Sequence, residues 1–228
     1  MSSIVTQTII CPKCSEKFRT NVYSTVNVTV DPALKSQVLS RKINEVTCPR
    51  CQIRVSVATN LLYHDMSKRF MVWLRLNERQ EIGDGTMPEL NLSIGMFHTY
   101  KLRVTNGWRE FHERISVLDA ELYEDAVEIL KFLLWPQVTR GSLNNYDSRE
   151  LSFVGIDRFY TTEVRLQFVY LNGSDSELIS YPKTEYDKFA TASLHKKLAL
   201  PDGRWARFDY QDVLRTLKEN GGVCPKQP

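Results

Sequence analysis

Two short stretches of this 228-residue chain carry residue types and spacing that could do chemistry: Cys11-Pro12-Lys13-Cys14 and Cys48-Pro49-Arg50-Cys51. Three chemistries compete for them. A redox pair wants a helix beginning just after its first cysteine, so that one thiolate is stabilised. Both motifs here are followed by strand-like sequence, and there are two of them. Structural disulfides would need an oxidising compartment, and five cysteines in 228 residues do not make a disulfide scaffold. The third chemistry is a tetrahedron of four thiolates, Cys11, Cys14, Cys48 and Cys51, around one zinc ion.

The residue types favour the third. Two hairpin tips, each giving two sulfurs from one turn, make such a tetrahedron. A proline after each first cysteine sets φ and removes a donor the turn need not supply. The amides of the next two residues remain free to point at the first sulfur. The 33 residues between the pairs exceed the usual span of about 15–20, and a helix inserted after Asp31 would absorb the excess. Four thiolates leave no open position for water or substrate, so the site is expected to be structural rather than catalytic.

The cage would carry excess negative charge, which Lys13 and Arg50 inside the tips and Lys17 and Arg54 close by would offset. Those cations, with Arg19, are also the candidate nucleic-acid contacts, and Phe18 and Tyr23 lie near enough in sequence to stack on bases. Residues 1–77 hold 11 Lys and Arg against 4 acids, an excess of +7, and the remainder carries −4. A basic part joined to an acidic part suggests two functional surfaces, or two parts that attract each other. The run Glu121, Glu124, Asp125 and Glu128 reads as a solvated acidic helix face or a partner site.

Other catalytic candidates are thin. His64-Asp65 is the best acid–base pair, but neighbours on a strand point to opposite faces. His98 and His112 do not cluster in the expected register. No phosphate-binding glycine loop, zinc-protease helix or nucleophile elbow is visible. A non-enzymatic protein is therefore expected.

The elements that must position these residues follow from periodicity. Residues 18–30 read as a strand, Asp31-Pro32 as the start of a short helix, and the sequences around Cys48–Cys51 as two more strands. Residues 69–76 form another. Asn106-Gly107 sits between two strand-like runs and predicts a hairpin pairing Leu102 with Phe111. Asp119 then caps a helix that Pro136 ends, with Leu122, Ala126, Ile129, Leu130 and Leu133 as its buried stripe. A second hairpin, around Asn172-Gly173, is expected to oppose Phe168 with Ile179 and Val169 with Leu178. Thr184 caps a further helix, and Asp209 a last one. The fold class is α+β: a zinc-ribbon-like β region over 1–80, a linker or long loop over 81–95, and an α+β region of two hairpin–helix units with a C-terminal helix over 96–228. Tyr63, Trp73, Trp108 and Trp205 are aromatic candidates for a partner surface or for the core. Cys224 has no companion and is left out as a ligand.

No apolar run approaches the roughly 20 residues that cross a bilayer. The start lacks a basic segment followed by an apolar core, which predicts a cytoplasmic protein with no membrane partner.

The chain resembles the CpXC domain family of prokaryotes. The carriers are CPKC at 11–14, NVTVDPALK at 27–35, CPRC at 48–51 and NLLYHDMSKRFMVWL at 60–74, and the likeness covers roughly 10–135. It implies a zinc-ribbon-like element fused to an α+β region, and no particular activity. Such tips usually have glycine just after the second cysteine, where the backbone turns left-handed; Ser15 and Gln52 stand there instead. The expectation is a structural zinc protein that acts through a protein partner in a prokaryotic multi-component system, with nucleic-acid binding by the basic region as the alternative and no small-molecule substrate evident.

Overall fold

Val, Thr and Ile dominate the first 27 residues, and β-branched side chains, stiff at χ1, suit a pleated surface better than a helix. In a computed structural model of the chain, residues 1–76, 98–139, 150–158, 163–190 and 200–207 are described, together with Asp147, Gln211 and Arg215. The architecture is α+β, with eleven strands and four helices among the described residues. It divides into two units: Met1–Phe111 with Asp202–Ala206, and His112–Pro201 with Arg207–Pro228. The expected linker, 81–95, lies outside the described residues, as do Cys224, Asp209 and the segment 191–199 that would continue to Leu198.

The first unit begins with an antiparallel hairpin, β1 (Ser3–Ile10) and β2 (Lys17–Asn27), whose tip is the first cysteine motif. Helix α1 (Ala33–Leu39) follows, burying Leu34 and Val38. Its cap is Pro32, with no side-chain bond, so Asp31 does not cap it. A small antiparallel hairpin, β3 (Glu45–Thr47) and β4 (Arg54–Ser56), carries the second motif. Strands β5 (Leu61–Asp65), β6 (Phe70–Leu74) and β7 (Lys101–Thr105) and the short β11 (Trp205–Ala206) complete a six-stranded mixed sheet, ordered β1-β2-β5-β6-β7-β11. Burial rises across it: β1 is largely exposed, whereas β6 is buried at every position. Leu62, Met71, Trp73, Leu102 and Val104 form a cluster in its middle, with Tyr100 and Trp205 packed on it.

The second unit holds most of α2 (Trp108–Asp119), then α3 (Glu124–Thr139), a three-stranded antiparallel sheet of β8 (Leu151–Asp157), β9 (Arg165–Asn172) and β10 (Asp175–Pro182), and α4 (Lys183–Ala190). Ala126, Leu130 and Leu134 pack with Leu151, Phe153, Leu166, Phe168 and Tyr186 in one core cluster. Phe153 and Phe168 are cross-strand partners in an edge-to-face contact, centroids 5.6 Å apart. The β9–β10 register is the expected one, with Phe168 opposite Ile179 and Val169 opposite Leu178. The chain reverses at Gly173, whose φ of 63° is the left-handed conformation glycine tolerates.

Four expectations are corrected. Asn106-Gly107 does not turn a hairpin; it starts α2, so the first hairpin–helix unit does not exist, and His112 lies on a helix. The Phe111 amide donates to the Gly107 carbonyl, and the Asn106 amide to Glu110 Oε2 at 3.1 Å. Phe111, Ile115 and Leu118 are all buried, and their spacing of four and three is helical. Asp119 ends α2 rather than capping the next helix, and α3 runs through Pro136 to Thr139. Proline lacks one donor, but Thr139 Oγ1 reaches back to the Trp135 carbonyl at 2.8 Å and supports the last turn. Helix α4 begins at Lys183, so Thr184 lies inside it and donates its hydroxyl to Glu163 instead.

Candidate metal centre

The two cysteine motifs fold into the same local structure. In each, the amide of the first cysteine donates to the carbonyl five residues on: Cys11 to Glu16 at 2.8 Å and Cys48 to Ile53 at 2.9 Å. In each, the residue after the second cysteine donates back to the first: Ser15 to Cys11 and Gln52 to Cys48, both at 3.0 Å. Between the two bonds the backbone turns left-handed, at Ser15 (φ 58°) and Gln52 (φ 59°), and this brings the carbonyl of the following residue back to the first cysteine's amide. Each non-glycine there costs about 1–2 kcal/mol.

The tips bring their sulfurs together crosswise. Cys11 Sγ lies 3.6 Å from Cys51 Sγ, and Cys14 Sγ lies 3.6 Å from Cys48 Sγ. All four sulfurs lie within 4.8 Å of one another, and the cysteines are free thiols. Thiolates at about 2.3 Å from one ion sit about 3.8 Å apart at the corners of a tetrahedron. The observed spacing therefore fits a metal ion at the centre. Cys11 and Cys48 are buried, and Cys14 and Cys51 partly exposed. Among the described residues this is the one group of His, Cys, Asp or Glu with ligand atoms close enough to share an ion.

The sulfurs do not titrate alike. Burial pushes the Cys11 thiol up, but the amides of Cys14 and Lys13 and the neighbouring sulfurs outweigh it and bring the thiol to about 6. These are the two amides left free after Pro12. For Cys14 the Glu16 amide pulls down, and burial with the three other sulfurs pushes up to about 12. Cys11 thus ionises more readily than Cys14, and a cation at the centre would favour the charged form of both.

The second tip is held against the first hairpin by Asn44, which sequence reasoning did not single out. Its side chain copies a strand edge: Oδ1 accepts the Tyr23 amide at 2.7 Å, and Nδ2 donates to the Tyr23 carbonyl at 2.9 Å. Its own carbonyl accepts the Val57 amide at 3.0 Å. Asn44 is buried with φ 60°, a conformation asparagine tolerates better than most residues. An asparagine just before a strand was the available signal. Gln7 Nε2 adds a bond to Thr59 Oγ1 at 3.1 Å.

The five candidate cations, Lys13, Lys17, Arg19, Arg50 and Arg54, are all exposed. Arg50 lies 3.8 Å from Glu16, so one tip's cation faces the other tip's acid. Lys17 and Arg19 alternate with partly buried Phe18 on β2 and share its outer face. Tyr23 falls on the opposite face from Phe18 by strand alternation. Asp65 does not serve His64: Oδ1 takes the Ser67 hydroxyl and the Lys68 amide, which fixes the β5–β6 turn. His64 is half-buried beside Tyr100, and burial holds its pKa down at about 4. Tyr63 and Trp73 are core residues, and Trp108 and Trp205 are partly buried.

The acidic helix face is a correction. Glu121 is exposed, but Glu124, Asp125 and Glu128 are buried. Arg114 Nη1 reaches Glu124 at 3.1 Å, and Lys131 Nζ reaches Glu113 at 2.9 Å and Glu128 at 3.1 Å. Glu113 Oε1 also accepts the Phe153 amide at 2.8 Å, tying the network to β8. Sequence alone shows a charged stripe; it does not show that Arg114 and Lys131 are folded onto it.

Fold and site together define an α+β protein with a closed four-cysteine cage near its N-terminus that could hold a metal ion. The chain belongs to the CpXC family, whose model, described as CpXC protein, matches residues 9–131, more than half of its length. No curated protein and no solved structure matches it. Among the described residues, no helix is long and apolar enough to cross a membrane.

Proposed function

We propose that the cage is a zinc-ribbon-like structural site and that the protein is a non-enzymatic interaction module, working in the cytoplasm within a prokaryotic multi-component system. The observation that carries this reading is the donor set. Four cysteine sulfurs, two from each of two like tips, stand at tetrahedral spacing and leave a bound ion no open position. Zinc suits such a set because it has no geometric demand from its d-electrons and does not change oxidation state. Cys11, Cys14, Cys48 and Cys51 would hold it, and the ion would supply the positive charge the cage lacks. The residues around it orient the sulfurs and neutralise them, and no proton or substrate is handled there.

Elemental analysis of the full chain tests the metal: one zinc per chain is expected. Iron in its place, or free thiols with no metal, overturns it. Isolation of the protein from its own cells, with and without nuclease, tests the role. A partner protein retained after nuclease treatment is the expected result. The second reading, nucleic-acid binding, is favoured by Lys17 and Arg19 on one exposed face beside two cationic tips. It predicts salt-dependent binding to single-stranded DNA or RNA that Lys17→Glu with Arg19→Glu removes.

A further inference from the structure

Strand β1, SIVTQTII, combines three properties. It is the outermost strand of the six-stranded sheet, with no strand on its outer side among the described residues. All eight of its residues are uncharged, and none is proline. Ile4 and Ile10 are 55% and 64% exposed, and Val5 is exposed as well. Exposed edge strands normally carry a lysine, a proline, a bulge or a covering element, because a free row of amides and carbonyls recruits another strand. The irregularity in β1 falls only at Ser3/Ile4, and from Ile4 to Ile10 the pairing with β2 is regular.

The direction of its free groups follows from the ladder. The Cys11 amide bonds across the hairpin to Glu16. Alternation then points the main-chain groups of Val5, Gln7 and Ile9 toward β2, and those of Ile4, Thr6, Thr8 and Ile10 outward. A second copy of β1, antiparallel and related by a two-fold axis normal to the sheet, must oppose residues of like parity. Centring the axis at Gln7 opposes Ile4 with Ile10, Val5 with Ile9, Thr6 with Thr8, and Gln7 with itself. Every apolar residue then meets an apolar one, threonine meets threonine, and the pairs Ile4–Ile10 and Thr6–Thr8 are the hydrogen-bonded ones. About eight main-chain bonds would form. Lys17 and Arg19 lie one strand further in, opposite Ile10 and Thr8 of their own copy, so no like charges are brought face to face.

We propose that β1 is a self-association edge, through which two copies of this chain pair antiparallel about Gln7 into one continuous sheet. The contact is small, which places the dimer in the weak class, with a dissociation constant on the order of 10–100 µM.

Sedimentation and light scattering of the metal-loaded full chain, from about 1 to 300 µM, test it. A reversible monomer–dimer equilibrium is expected for the native chain. Ile4→Lys with Ile10→Lys sets lysine against lysine across the axis and is expected to weaken the dimer at least about tenfold. Ile4→Lys with Ile10→Glu sets opposite charges together and is expected to keep it. A native chain that stays monomeric throughout overturns the proposal. A dimer indifferent to the lysine pair, or one that both pairs disrupt equally, overturns it too. Metal content, read on the same samples, reports the cage separately, so failure here leaves the reading of the cage untouched.

Discussion

The cysteine cage and the buried ion network between α2 and α3 meet the same problem by different means. Each gathers groups that repel one another when charged. The cage crowds four sulfurs to within 4.8 Å. The network buries Glu113, Glu124 and Glu128. In the network the compensating charges are part of the chain: Arg114 and Lys131, both nearly inaccessible. Burial pushes the Glu128 carboxyl up, and Glu113 adds to the push against the pull of Lys131 and Arg114. Burial pulls Lys131 down, and its two glutamates more than reverse that. In the cage no buried cation among the described residues plays that part; the cations nearby in sequence, Lys13 and Arg50, lie on the outside. The cage thus calls for a cation from solution. One site should answer to chelators and the other only to mutation.

The largest expected effect is metal removal. Structural zinc contributes about 10–16 kcal/mol in small domains, far more than the short β3–β4 hairpin could supply by packing. Chelation, or Cys48→Ser, is expected to release the metal and unfold β1–β4 as a unit. Hydrogen exchange read by mass spectrometry should show lost protection there and retained protection in β8–β10. Uniform loss in both regions would show that the ion network does not stand without the metal.

Second comes Lys131→Met, which leaves Glu113 and Glu128 without their shared cation. Breaking one partner of a buried pair costs about 3–5 kcal/mol. Thermal unfolding of the second unit should shift down strongly while the metal content of the cage stays unchanged. Lys131→Met combined with Glu113→Gln and Glu128→Leu should recover much of the loss, since apolar replacement of a whole buried pair is often tolerated.

Asn44→Ala is third. It strands the Tyr23 amide and carbonyl and strains a left-handed position, for a cost of about 2 kcal/mol. Transfer of metal to a coloured chelator should be faster, by about tenfold or more, with the final metal capacity unchanged. An unaltered transfer rate would mean the second tip is held by the metal alone.

The smallest effect is a pH dependence. His64 is held near 4 in the folded chain against about 6.5 unfolded. Between those values the unfolded chain binds the extra proton, so this residue's contribution is present above pH 6.5 and lost as pH falls toward 4. Because the ring is only half-buried, the loss is on the order of 1 kcal/mol. The denaturant midpoint of the native chain should fall relative to that of His64→Gln as pH is lowered from 7 to 4.5.

The parts of the site legible in the sequence were those dictated by local chemistry. Cysteine pairs with proline and a basic residue between them specify a turn aiming two sulfurs one way. The left-handed positions at Ser15 and Gln52 follow from the same turn. The β9–β10 register followed from matching apolar residues across a hairpin. Asn106-Gly107 misled because both hairpins and helix starts use such residues, and the alternating run after it also satisfies helical spacing. Asn44 was hidden because its partner, Tyr23, lies 21 residues away.

By itself the sequence determined which sulfurs can form one cage and how β9 and β10 pair, because turn chemistry and the matching of apolar neighbours act over a few residues. Only the tertiary structure decided that the acidic stripe of α3 is buried rather than solvated, and that β1 is left as an open edge. Both depend on which distant element comes to lie alongside, Arg114 and Lys131 in one case and no described strand in the other. No local propensity carries that choice.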